Sequence, residues 1–331
     1  MLTLLQEVKN NLVLKNQKIG LAVSGGVDSM VLLNVFHRIS KESGLKLYVM
    51  HYNHKWRKES FKDAELIRKY CKKNKIKFLY KESKGRIIKD EEIAREQRYS
   101  FFQTCAKKNS LKVICTAHHR DDQLETILFR LARGTGPNGL CPIKEVRELP
   151  DGIKIFRPFL HIWKKDLARY AVKNRISYIE DKTNLNVIYK RNLIRRKILP
   201  LLKKINPEAE NNILVFSDLA YSQYMALNNY FSVVLNKVRT SLPLTLNRNK
   251  FLKLDYYTQT AFIYWLFTTH GIKGAVSKIH VIRNVIINQK KIDLSKKYIM
   301  NVTGNKIAFD VKSENENKEV CHSRGRGNPD S

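Results

Sequence analysis

The segment Ser24-Gly25-Gly26-Val27-Asp28-Ser29 combines two glycines, two hydroxyls and one carboxylate between an apolar run and a helical pattern. Glycines let backbone amides approach an anion closely, and the positive end of a following helix suits phosphate. Ser24 and Ser29 add hydroxyl donors. Asp28 repels phosphate unless a cation lies between them, so its presence points to Mg²⁺ with Asp28 as its ligand. The terminal Gly-Lys-Ser/Thr of a Walker loop is missing, as is the three-glycine dinucleotide fingerprint. The competing reading is an ordinary Gly-Gly turn capped by Asp or Ser. The strand–loop–helix context favours a loop that grips pyrophosphate.

A second block runs Ala117-His118-His119-Arg120-Asp121-Asp122-Gln123-Leu124-Glu125-Thr126. Leu124, Ile127, Leu128 and Leu131 recur at i, i+3, i+4 and i+7 and predict one buried helical stripe. Asp121, Asp122 and Glu125 then cluster near the helix start. Crowded carboxylates call for a cation, either a metal or a substrate ammonium. The alternative is a pair of capping aspartates with a solvated glutamate.

Basic residues form the third group. From Lys190 to Lys204 stand Lys190, Arg191, Arg195, Arg196, Lys197, Lys203 and Lys204, with no acidic residue among them. On a helix they give a positive surface suited to a sugar–phosphate backbone. Arg95 and Arg98 lie one turn apart on another helical segment, and Tyr99 and Trp56 can stack on an exposed base. Taken singly, each is as well explained by a solvated charge or a core aromatic. The whole chain of 331 residues carries a formal charge of +32, which points to a polyanionic partner unless the source proteome is lysine-rich throughout.

The elements that must hold these groups alternate. Strands are expected at Ile19–Val23, Leu47–Tyr52, Ile76–Tyr80, Leu111–Ala117 and Ile153–Phe156. Helices are expected at Met30–Phe36, Phe61–Lys73, Glu91–Lys108 and Asp121–Arg133. That alternation predicts an α/β fold, a Rossmann-like parallel sheet with helices on both faces. Each motif then falls at the carboxyl end of a strand, where such sheets bind ligands. After Pro207 the pattern changes: helices at Asn211–Arg239 and Phe251–His270, then a hairpin of Tyr298–Val302 and Lys306–Val311. The expected organisation is a catalytic domain over 1–205, a smaller, mainly helical α+β domain over 206–311 for substrate, and a disordered tail over 312–331. Met1 to Gln17 reads as an amphipathic helix, with no secretory signal and no run long enough to span a bilayer, so a cytoplasmic protein is expected. Cys71, Cys105, Cys115, Cys141 and Cys321 are odd in number and unpaired in spacing, which argues against disulfides and metal clusters.

The glycine loop resembles the signature of the PP-loop ATP pyrophosphatases. Within that superfamily, His118 to Leu140 resembles the tRNA(Ile)-lysidine synthetase pattern, in which a His-His-x-Asp-Asp-Gln-x-Glu-Thr block leads into a glycine-rich turn. In sequence order, His51, Asn53, His54 and Arg57, then Ala94 to Tyr99, Arg157 to Leu160, Glu180 to Asn184, Tyr189 to Arg195 and Leu199-Pro200 are similar to the same family. The resemblance covers most of the first 205 residues. It implies that ATP adenylates the wobble cytidine of a CAU-anticodon tRNA(Ile) and that free L-lysine then displaces AMP. It further implies that Ser24 to Ser29 bind ATP with Mg²⁺ at Asp28, and that Asp28, Asp122, Glu125 and Arg195 are catalytic. Arg95, Arg98, His119 and Arg191 are implied to face the tRNA. A homodimer is compatible with this reading. Other PP-loop enzymes, such as tRNA thiolases, and a non-catalytic RNA-binding relative are the alternatives. Thr183 stands where the family pattern more often has Ser, and only one domain's worth of sequence follows Pro207.

Overall fold

The computed structural model describes Val8 and residues 17–56, 59–83, 90–180, 190–235, 244–272, 279–295 and 297–312. Most of the expected N-terminal helix, Arg57, the segment 181–189 and the tail beyond 312 lie outside the described residues. Strand β1 (Lys18–Ala22) leads into helix α1 (Val27–Ser43). Strand β2 (Lys46–Asn53), helix α2 (Ser60–Lys73), strand β3 (Lys77–Glu82) and helix α3 (Glu91–Asn109) follow. Next come strand β4 (Val113–Cys115), helix α4 (Arg120–Ala132), strands β5 (Val146–Glu148) and β6 (Lys154–Phe156), and helix α5 (Lys164–Lys173). The six strands are ordered β3-β2-β1-β4-β6-β5. All pair in parallel except β5, which runs antiparallel to β6.

Each face of the sheet is covered, as alternation demands. Met30, Leu33 and Phe36 of α1, Ile67 and Cys71 of α2 and Leu167 and Ala171 of α5 close over one face, together with Val8. Phe101, Phe102 and Cys105 of α3 meet Met50, Ile114 and Ile155 on the other. Gly20 sits where an added Cβ would come within 2.5 Å of the Met50 terminal methyl, so a larger residue there requires that side chain to shift.

Beyond α5 the chain forms α6 (Lys190–Leu193), a π-helical turn (Ile194–Ile198), α7 (Leu199–Ile205) and the long α8 (Ala209–Leu235). Strand β7 (Leu244–Asn247), α9 (Arg248–Leu252), α10 (Tyr256–Thr269), α11 (Ile279–Ile287), β8 (Lys291–Asp293), β9 (Tyr298–Thr303) and β10 (Lys306–Val311) complete the described chain. The last four strands form an antiparallel sheet ordered β7-β10-β9-β8. Phe262, Trp265 and Phe267 of α10 anchor the core of this region with Ile282, Met300 and Phe309.

Several element bounds differ from the sequence reading. Phe251–His270 is two helices, because the Asp255 carboxylate caps the amides of Tyr257 and Thr258 and starts α10 anew. The stripe on α4 is fully buried at Leu124 and Ile127, while Leu131 is 43% exposed. Spatial proximity of backbone positions divides the chain into two units, Met1–Arg130 with Cys141–Val215, and Leu131–Leu140 with Phe216–Ser331. The sequence placed the junction at 205/206; the observed seam lies within α8, and the glycine-rich turn after α4 groups with the second unit.

Candidate active site

The glycine loop leaves β1 at its carboxyl end. The amide of Val23 donates to the Met50 carbonyl across the sheet at 3.0 Å, holding the loop's base. Gly25 has φ +96°, and a Cβ there would lie 3.0 Å from both Cβ and Oδ1 of Asp63. Conformation and space both require glycine at that position. The Ser29 hydroxyl is the loop's internal tie. It accepts from the amides of Ser24 (3.1 Å) and Gly25 (3.2 Å) and donates to the Gly26 carbonyl (2.9 Å). Gly26 is the N-cap of α1 and has no side chain to occupy the first-turn amides, which leaves that end of the helix suited to an anion.

Asp28 in that first turn lies 3.6 Å from His119 Nε2 and 3.7 Å from Lys164 Nζ, both through Oδ2. Burial pushes the Asp28 carboxyl up, but His119, Lys164 and Arg195 outweigh it and hold its pKa below 3.8. Its other oxygen, Oδ1, is buried with no hydrogen-bond partner among the described residues. An orphaned carboxylate oxygen beside a phosphate loop fits a hard cation. Among the described residues no group of three or more His, Cys, Asp or Glu is placed to hold a metal by itself. Mg²⁺ commonly takes one or two carboxylates and completes its shell with phosphate oxygens and water, so Asp28 alone is a sufficient protein anchor.

Helix α4 begins just beyond β4, and its start is braced by the chain after β6. His119 bridges to Phe159 in parallel, and the Gln123 side-chain amide donates to the Leu160 carbonyl at 2.8 Å. Asp121 accepts from the amide of Lys164 at 2.9 Å, and Asp122 from the amide of His119 at 2.9 Å. The two aspartates therefore act as caps. A protein imidazole stands beside these carboxylates. His119 Nδ1 stands 3.5 Å from Asp121 and 3.6 Å from Asp122, ion-pair distances outside hydrogen-bond geometry. Burial pulls the imidazole's pKa down, yet Asp28, Asp122 and Asp121 together raise it above 6.5. Glu125 is 2% exposed and receives the Arg195 Nε at 2.6 Å. Burial pushes the Glu125 carboxyl up while Arg195 opposes that shift, and Glu125 in turn holds the guanidinium charged.

A cleft of about 390 Å³ lies within the first unit. Ser24, Gly26, Asp28, Ser29, Arg98 and Asp122 line it, with Trp56 and Tyr99. Gly25, Val27, Glu125, Arg195, Arg95, His119 and Arg191 do not. His119, expected toward the tRNA, is 2% exposed. Arg95 lies over the Tyr99 ring, 4.8 Å from its centroid, and Arg191 is exposed on α6. Lys164 and Asp63 are the residues the sequence did not flag. Lys164 opens a helix after the carboxyl end of β6, the location rule that could have drawn attention to it.

Comparison with known proteins agrees with this geometry. The family profile described as a PP-loop domain matches residues 2–202. The tRNA(Ile)-lysidine synthase of Thermotoga maritima is 41% identical over 201 residues, 58% of this chain and 47% of the relative. That of Petrotoga mobilis is 36% identical over 243 residues, 72% of this chain and 76% of the relative. The chain spans about half the length of most of the curated relatives it matches. Among solved structures, a U34-tRNA thiolase from Methanococcus maripaludis superposes with a TM-score of 0.56 at 13% identity, covering 66% of this chain and 78% of that one, which establishes the fold alone. With a matching profile over most of the chain and a relative covered across three quarters of its length, this chain belongs to the tRNA(Ile)-lysidine synthase family of PP-loop proteins.

Proposed function

We propose that this chain joins lysine to C2 of the wobble cytidine of a CAU-anticodon tRNA(Ile) at the expense of ATP. The C2 carbonyl oxygen attacks the α-phosphorus, an O–P bond forms and pyrophosphate leaves. The lysine ε-amine, having lost a proton, then adds to C2; the C2–O bond breaks, AMP departs and the nitrogen releases a second proton. The observation that carries this reading is the meeting of the glycine loop and the α4 carboxylate of Asp122 in one cleft. Ser24, Gly26, Ser29 and Asp122 all line it.

In this reading the first-turn amides at the α1 terminus hold the β- and γ-phosphates. Asp28 Oδ1 is the protein oxygen for Mg²⁺, which when bound neutralises phosphate charge. Lys164, 3.7 Å from Asp28, adds positive charge at the same end. Asp122 faces the cleft and suits the lysine ammonium, and Glu125, fixed by Arg195, backs it from the interior. Arg98 and Tyr99 at the cleft and the exposed Arg191, Arg196 and Lys197 suit RNA phosphates and a splayed base in this reading. The second unit is assigned to the tRNA body. Three of the four described cysteines, Cys71, Cys105 and Cys115, are buried, and burial pushes the Cys71 thiol up to about 12, which counts against a thiolate nucleophile at those positions. Among the described residues no helix is long and apolar enough to cross a membrane, in keeping with work on tRNA in the cytoplasm.

The test is incubation with labelled lysine, ATP, Mg²⁺ and tRNA transcripts that differ at the wobble base. Lysine transfer is expected to the CAU transcript and not to its UAU counterpart. A folded protein that transfers no lysine to the CAU transcript sinks the proposal.

A further inference from the structure

Lys and Arg make up 62 of the 331 residues, yet none falls between Asn206 and Asn236. That stretch contains α8, and from Phe216 onward the helix belongs to the second unit. Its inner side is marked by Ser217, Tyr224 and Phe231 at heptad spacing. Ser217 and Phe231 are buried, and Tyr224 packs on the core of that unit. Its outer side is apolar as well. Phe216, Leu219, Leu227 and Tyr230 are 56%, 58%, 45% and 60% exposed, and Gln223 between them is exposed too. At about 100° per residue these positions fall within about 80° of the helix circumference, along about 21 Å of its length. An aligned apolar stripe of that length on a water-facing helix is a docking surface, unlike scattered exposed side chains.

The chemistry of the stripe narrows the partner. RNA needs cations for its phosphates, and the stripe has none. An anionic membrane surface likewise draws on Lys and Arg beside the apolar face, whereas here the exposed Asp218 flanks it. An apolar protein face remains, and the order of the residues specifies which. From either end the stripe reads aromatic, Leu, Gln, Leu, aromatic, with steps of three, four, four and three residues. It is a palindrome centred on Gln223. Two such helices laid antiparallel across a two-fold axis bring Phe216 against the partner's Tyr230, Leu219 against the partner's Leu227, and the two copies of Gln223 together. A glutamine amide both donates and accepts, so a facing pair satisfies itself, and a polar pair within an apolar seam fixes register. Two chains of charge +32 repel one another, and a face without Lys or Arg is where that repulsion is least.

We propose that α8 is a self-recognition surface that pairs two copies of this chain antiparallel through Phe216, Leu219, Gln223, Leu227 and Tyr230. The inference is independent of the reaction assigned to the cleft. A seam of four helical turns is small for a protein interface, so the dimer is expected to dissociate in the micromolar range.

Sedimentation velocity of the full chain over a concentration series tests it. A monomer–dimer equilibrium is expected, and it should tighten as KCl rises, because salt screens the repulsion between copies and leaves the apolar seam intact. Leu219→Glu is present twice in a symmetric dimer and is expected to weaken it about a hundredfold or more. Leu227→Lys is expected to do the same. Mixing the two variants is expected to restore association. Antiparallel pairing sets the new carboxylate against the new ammonium at one contact and leaves Leu219 against Leu227 at the other. Circular dichroism checks that each variant keeps its helices. Should either not fold, Gln223→Cys carries the test: mild oxidation is expected to give a disulfide-linked dimer absent from the unaltered chain, and no such dimer overturns the proposal. A chain monomeric at every concentration and salt, or a dimer indifferent to Leu219→Glu, also overturns it. Folded variants that stay apart when mixed overturn the antiparallel pairing. Weaker tRNA binding by Leu219→Glu with no change in the mass of the particle assigns the stripe to RNA and overturns self-recognition.

Discussion

His119 stands among three carboxylates, and its charge decides how they coexist. Its folded pKa lies above the 6.5 of a free imidazole, and that of Asp28 lies below 3.8. A raised histidine pKa contributes stability that is fully present below pH 6.5 and lost as pH climbs through the folded value. A depressed aspartate pKa contributes stability present above pH 3.8 and lost as pH falls through the folded value. Between about pH 4 and 6.5 both charges are in place. In metal-free buffer, His119→Gln is therefore expected to cost about 1–3 kcal/mol near pH 5.5, with the deficit shrinking toward pH 9. Urea denaturation at several pH values reads this, and a deficit independent of pH would show that the imidazole is uncharged. The role was hidden in sequence because a His-Arg-Asp-Asp run states which charges are near one another along the chain. It does not state that Asp28, from another element, completes the set.

At the scale of elements, the glycine loop and the helices around the cleft differ in how openly the sequence displays them. Parallel strands buried in the sheet announce themselves as apolar runs, so β1, β2, β4 and β6 were legible, and the loop between β1 and α1 with them. Strand β5 was not, since Val146, Arg147 and Glu148 are all exposed on an edge and have no hydrophobic pattern. The π-helical turn at Ile194–Ile198, which carries Arg195, was equally hidden: an extra residue in one turn leaves no periodic signature. Within the loop, the two glycines are not equivalent. Gly25→Ala meets Asp63 at 3.0 Å and must hold φ +96°, whereas a Cβ at Gly26 meets nothing nearer than Ser24 Oγ at 3.8 Å. Gly25→Ala is expected to destabilise by about 1–3 kcal/mol and to abolish binding of inorganic pyrophosphate. Gly26→Ala is expected to cost under about 1 kcal/mol. Paired denaturation and calorimetric titrations compare them, and equal behaviour would show that the loop's conformation does not govern its anion site.

For the molecule as a whole, the charge of +32 sets the range and salt sensitivity of RNA binding. Neutralising about four phosphates would lower affinity roughly a hundredfold between about 50 and 200 mM KCl. Filter binding of a tRNA across that range should give a linear log–log plot, and a flat one would remove the basic surface from the binding account. The path of the chain carries a different message. The Leu131–Leu140 turn belongs with residues 216–331. There the Tyr264 hydroxyl bonds Asn138, and the Ser217 hydroxyl donates to the Leu140 carbonyl at 2.6 Å. An added Cβ at Gly136 would overlap the Tyr264 ring. The backbone thus enters this unit twice, and no single cut separates the two. A fragment ending at Val215 would carry the turn without Tyr264 or Ser217 and would present Leu140, 5% exposed in the intact chain, to solvent. Such a fragment is expected to aggregate or to be nicked by protease between 131 and 140, at a site the intact chain protects. The molecule behaves like a parcel tied with two knots, and shortening it from the end alone loosens a strand in its middle.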